Sequence, residues 1–132
     1  MNIRALSLIR PWGTLIATGK KPIEWRSWQT NYRGIVLLHT SGSTTSDNEM
    51  KKWKLLPEDC PLKAIIGAAT IVGCEWNYQH QQYAHICETP ILFAEPILCV
   101  PGALNYWQPR NERQQKGFDL AIAQLKQLKQ LA

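Results

Sequence analysis

The chain has 132 residues, 45% of them hydrophobic, and its 15 Lys and Arg outnumber its 10 Asp and Glu to give a formal net charge of +5. That hydrophobic fraction excludes a globally disordered chain, and the length suits one domain, residues 1–132, with a core of its own. The N-terminus has no apolar leader, no apolar run is long enough to cross a bilayer, and Cys60, Cys74, Cys87 and Cys99 form no C-x-x-C pair, so the expectation is a cytoplasmic protein with reduced thiols, no membrane partner, no metal and no cofactor.

Residues 5–9 predict a short strand. Pro11 stands at a first helical turn and Gly19 just past a last one, with Trp12, Leu15 and Ile16 as an apolar stripe between them. Ile23 and Trp25 then alternate with Glu24 and Arg26, a half-buried strand with Trp25 turned to the core and Glu24 and Arg26 displayed. Residues 31–34 read as a turn, and 35–39 as an apolar strand buried on both faces, with His39 a satisfied core histidine. After a polar loop at 41–46, Ser46-Asp47-Asn48-Glu49 fits a capping box for a helix reaching about Leu55. Residues 64–76 are the longest strand candidate, with Gly67 and Gly73 as bulges or points of close approach. Residues 78–85 read as a loop or frayed helix, 91–100 as one or two strands interrupted at Pro96, and 102–109 as a connector carrying Tyr106 and Trp107. Phe118, Ala121, Ile122, Leu125 and Leu128 mark a closing amphipathic helix. Several short strands with two or three helices predict an α+β fold, a small, partly closed barrel with helices outside, because closure removes exposed edges.

The charge is unevenly placed. Residues 1–33 hold Arg4, Arg10, Lys20, Lys21, Arg26 and Arg33 against Glu24 alone, whereas the rest of the chain carries nine bases and nine acids. Trp12, Trp25 and Trp28 share that basic segment. Flat indoles beside point charges suit a nucleobase and its phosphate. Lys21 and Arg26 are the first candidates to meet phosphate, with Arg10 and Arg33 supplementary. Glu24 either pairs with these cations or accepts hydrogen bonds from a base edge. Trp12 and Trp28 are candidates for stacking, and Ser7 and Ser41, at the ends of neighbouring strands, are candidates to offer hydroxyls.

Gly19-x-Lys21-x-x-Glu24-x-Arg26 resembles the G-x-K-x-x-E-x-R signature of the ASCH domain, the activating signal cointegrator homology domain. Leu6-Ser7 followed by Pro11-Trp12, then Ser27-Trp28 and Tyr32-Arg33-Gly34 before an apolar strand, are similar to the branch that includes the C-terminal domain of the coactivator activating signal cointegrator 1. Phe93, Pro96 and the stretch 102–107 look like that branch's second half. The resemblance implies a PUA-like pseudo-barrel with a cleft near the signature. It also implies a partner that is RNA or single-stranded nucleic acid, or a modified nucleoside or nucleotide. A second reading is an enzyme, since the family includes small deacylases of N4-acetylcytidine and reported ribonucleases. An amidohydrolase would draw on Lys21 and Glu24, with Glu75 as a second carboxylate. In the deacylase group Thr stands where this chain has Glu24, so binding ranks ahead of catalysis. A third reading makes the indoles a hot spot for a protein partner.

Overall fold

A computed structural model describes residues 2–131. The order of elements is β1 (Arg4–Leu8), α1 (Trp12–Ala17), β2 (Ile23–Arg26), β3 (Gly34–Thr40), α2 (Asp47–Lys52), β4 (Ala64–Asn77), β5 (Gln82–Ile97), β6 (Tyr106–Trp107) and α3 (Glu112–Leu131). All six strands join one sheet in the order β2-β5-β4-β3-β1-β6. Among the described residues β1–β3 is the only parallel pairing, and that register sets Ser7 beside His39 and Leu8 beside Thr40.

β2 and β6 are opposite edges of this sheet, yet they meet. Arg26 at the end of β2 donates from Nη2 to the Ser7 carbonyl on β1 at 3.0 Å, and Trp28 packs edge-on against Tyr106 of β6 with ring centroids 5.5 Å apart. The sheet therefore curls until its edges face each other, which makes the fold an α+β pseudo-barrel. Alternation along each strand then builds two cores. Leu6, Leu8, Val36, Leu38 and Ile71 pack inside with Ile16 and Ala17 of α1. Ala5, Leu37, Phe93 and Trp107 pack on the other face under Phe118, Ala121 and Leu125 of α3. At Gly67 the strands approach α1 so closely that a Cβ would lie 2.1 Å from the Ile91 carbonyl oxygen and 3.1 Å from the Ala17 Cβ. The ladder shifts register on either side of Gly67 and again before Gly73.

Four local expectations are corrected. Residues 78–81 are a turn, and β5 begins at Gln82, so the Gln- and His-rich stretch closes a long β4–β5 hairpin. β5 runs through both Pro90 and Pro96 to Ile97; neither proline appears in the β4–β5 register, so neither missing N–H costs a ladder bond. Ser46 makes no side-chain cap, its backbone lying outside the extended region, and α2 ends at Lys52. Finally, Glu24 faces inward and Trp25 outward, the reverse of the apolar-inside pattern. Trp25 is half-buried and stacks on His80 of the hairpin turn at 3.8 Å between centroids.

Candidate nucleic-acid interface

The signature is assembled by a helix end and a strand start. The N–H of Gly19 donates to Ile16 O at 3.0 Å and that of Lys20 to Leu15 O at 2.9 Å, with Gly19 at φ +78°. This Schellman stop needs the left-handed conformation that glycine adopts without strain. Pro22 cannot extend the helix, and its carbonyl accepts from the Cys87 N–H at 2.9 Å, which lays the chain onto β5 as β2. Antiparallel pairing then sets Glu24 opposite His85, and both point into the barrel.

Glu24 is 7% exposed, and each of its oxygens has a cation. Lys21 Nζ is 2.6 Å from Oε1 and Arg26 Nε is 2.8 Å from Oε2. Paired in this way, a buried carboxylate is tolerated; alone it would be severely penalised. Each cation also lies near an indole, Lys21 Nζ 5.5 Å from the Trp12 ring and Arg26 Cζ 5.8 Å from that of Trp28. Behind them His85 Nε2 donates to the Trp28 carbonyl at 2.9 Å, so Nδ1 accepts from the Tyr106 hydroxyl at 2.7 Å. Burial holds His85 below the ordinary histidine pKa and pushes Tyr106 up; the Cys87 thiol is pushed up to about 11, first by burial and then by nearby Glu24.

Arg26 links this ion triad to a cleft of about 860 Å³. Arg26, Trp28, Ser7 and Ser41 line it, together with His39, Lys63, the 101–105 loop and Arg113. No Asp or Glu is among the lining residues. His39 is fully buried; its Nε2 meets Val100 O at 2.7 Å and its Nδ1 meets Ser7 Oγ at 2.9 Å. Burial keeps its pKa below the usual value. Trp28 and Asn105 also border a neighbouring hollow of about 440 Å³ lined by Arg4, Thr30 and Tyr32. A separate hollow of about 370 Å³, between Ile35, Ile91 and α3, is almost wholly apolar.

The other residues singled out from the sequence lie elsewhere. Lys21 and Glu24 stand behind Arg26 and do not line the cleft, and Trp12 packs beyond Lys21. Arg10 is engaged by Asp47 through two bonds of 2.9 Å, which raise its pKa and lower that of Asp47. Arg33 donates to the carbonyls of Thr30 and Tyr32 on an exposed turn. Glu75 pairs opposite Ala84, which pairs opposite Trp25, so it projects from the sheet face opposite to Glu24. The cleft's other cations, Lys63 and Arg113, come from the part of the chain whose charges balance. Nothing in their local sequence distinguishes them; Gly102, pressed against Ser7 and His39, follows a proline and reads as an ordinary turn.

Comparison with known proteins agrees with this architecture. The sequence pattern that defines the ASCH domain matches residues 6–124. Activating signal cointegrator 1 of Mus musculus is 30% identical over an alignment covering 58% of this chain and 15% of that protein. The Homo sapiens protein of the same name is 25% identical, with 67% of this chain and 18% of that protein covered. The chain thus spans less than a fifth of the curated relatives it matches. Among solved structures, the crystal structure of ASCH from Zymomonas mobilis superposes with a TM-score of 0.56 at 16% identity, covering 89% of this chain and 94% of that one. A point mutant of that protein superposes at 0.57 and 16% identity, with 91% and 99% covered. These structures share the fold, and the match across residues 6–124, which takes in the whole signature from Gly19 to Arg26, shows that the chain belongs to the ASCH domain family.

Proposed function

We propose that the acid-free cleft binds single-stranded RNA or a nucleotide. Arg26, Lys63 and Arg113 meet phosphate, Trp28 stacks on a base, and Ser7, Ser41 and Asn105 supply hydrogen bonds. One observation carries this reading: three cations and an indole line a single cleft of about 860 Å³ without an opposing carboxylate. That volume lies within the usual range for ligand sites. The shared border at Trp28 and Asn105 extends the track to Arg4 and Tyr32, which suits a strand longer than one nucleotide. Lys21 and Glu24 act through Arg26: the carboxylate holds the guanidinium toward the cleft, and Lys21 offsets the carboxylate's remaining charge. The family's association with RNA binding points the same way.

Fluorescence anisotropy of a labelled single-stranded RNA, titrated at low and moderate salt, tests this. Saturable binding that weakens with salt is expected, and Lys63→Ala/Arg113→Ala should reduce it. No binding at low salt, or unchanged affinity in the double variant, would overturn the assignment.

A further inference from the structure

Binding RNA requires neither the contact between Ser7 and His39 nor the way its protons are arranged. The Val100 carbonyl can only accept, so His39 Nε2, 2.7 Å away, carries the proton. Nδ1 then offers a lone pair, and the Ser7 hydroxyl 2.9 Å away donates to it. Trp107 Nε1 donates to the same Oγ at 3.0 Å, and its ring meets the imidazole edge-on at 5.6 Å between centroids. A hydroxyl aimed at a neutral imidazole, with the ring's tautomer held by a third group, is the arrangement of an activated nucleophile. Both residues line the cleft. Gly102 lies against them: a Cβ there would be 2.6 Å from Ser7 Oγ and 2.8 Å from His39 Cε1, so glycine leaves open a hydroxyl that any other residue would cover. Arg26 also lines this space, and its Nη1 makes no hydrogen bond among the described residues.

We propose that Ser7 is a nucleophile and His39 its general base, acting on acyl esters of phosphate-bearing molecules. The choice of a phosphate-bearing substrate rests on the cationic cleft proposed above. Ser7 Oγ attacks the ester carbonyl carbon while its proton passes to His39 Nδ1, and the carbonyl electron pair moves onto oxygen, facing Arg26. Collapse breaks the carbon–oxygen bond to the leaving alcohol, which takes the proton from Nδ1 and leaves an acyl group on Ser7. Water then gives a proton to Nδ1 and attacks that acyl carbon; Ser7 Oγ departs, recovers the proton, and the carboxylic acid is released. A single imidazole serves an acyl centre, where attack and departure occur on the same side. An in-line phosphodiester displacement would need an acid on the far side, and the cleft lining holds no second imidazole or carboxylic acid.

The test is to incubate the full chain with an alkyl fluorophosphonate, which adds phosphorus to an activated serine Oγ and expels fluoride, and to locate the adduct by mass spectrometry. The expected result is one adduct per chain, on Ser7, absent in Ser7→Ala and formed about 100-fold more slowly in His39→Asn. Gly102→Ala should slow it as well. An unlabelled Ser7 in the wild-type protein overturns the proposal whether or not the variants fold, and so does an unchanged rate in folded His39→Asn. RNA titration of the same wild-type protein reads the cleft separately. Labelling without RNA binding keeps the pair and removes the phosphate-bearing substrate; binding without labelling removes the pair.

Discussion

Glu24→Gln changes the charge at the centre of the signature while keeping its shape. The wild-type carboxylate accepts from Lys21 at 2.6 Å and from Arg26 at 2.8 Å. In the variant the amide NH₂ must face one of these cations, donor against donor. Removing one partner of a buried ion pair costs about 3–5 kcal/mol. Here the Lys21 and Arg26 side chains keep 19% and 24% of their exposure, so water recovers part of that loss. The expected destabilisation is about 3 kcal/mol, a fall in Tm of roughly 10 °C for a domain of this size. Circular dichroism melts and urea titrations measure it. A Tm within about 2 °C of the wild type would refute the claim that the Glu24 carboxylate bridges the two cations. RNA affinity gives a second reading. Charge alone predicts tighter binding, because the net charge rises by one from +5. If Glu24 positions Arg26, binding weakens in spite of that added charge, so tighter binding would overturn the positioning role.

Gly67→Ala should cost about 3 kcal/mol or more in urea unfolding, because its Cβ would lie 2.1 Å from the Ile91 carbonyl oxygen; a loss under about 1 kcal/mol would mean that the β4–β5 bulge yields easily. Lys63→Ala/Arg113→Ala should lower the slope of log K against log salt by about 1.4 for single-stranded RNA, and an unchanged slope would place the phosphates elsewhere. Stability should also depend on pH through His39 and His85, whose folded pKa values both lie below the ordinary 6.5. Burial is the main cause at both: His39 faces the neutral Ser7, Trp107 and the Val100 carbonyl, and at His85 the Trp28 carbonyl and Glu24 push the pKa up while Arg26 and Arg33 push it down. The unfolded chain takes up these protons first, so stability is complete above about pH 6.5 and is lost as pH falls from there toward the folded values. A urea midpoint that stays flat between about pH 7.5 and 5.5 would show that neither histidine is held neutral.

What was legible in the sequence is local. Gly19 stops α1, Pro22 turns the chain, and Lys21, Glu24 and Arg26 lie close enough in the chain for their ion pairs to be expected. Phe118, Ala121 and Leu125 share a helical stripe, and that stripe alone identifies the face of α3 that covers the sheet. Trp25 shows where such reading fails. Period-2 alternation marks two faces of a strand but not which one is inside, and hydropathy favoured the indole. Two neighbouring cations instead let Glu24 take the inner face.

The sequence by itself marked where α1 stops and β2 starts and which residues lie near enough to form the ion triad, because those interactions join residues within a helical turn or two. Only the tertiary structure decided the cleft. Ser7 meets His39 across 32 positions and Trp107 across 100, through strand neighbours set by the β1–β3 and β1–β6 registers. Lys63 and Arg113 join them only because the sheet curls and α3 returns across it. Such contacts depend on which distant strands pair and in what register, and side-chain pattern along one strand carries no record of its partner.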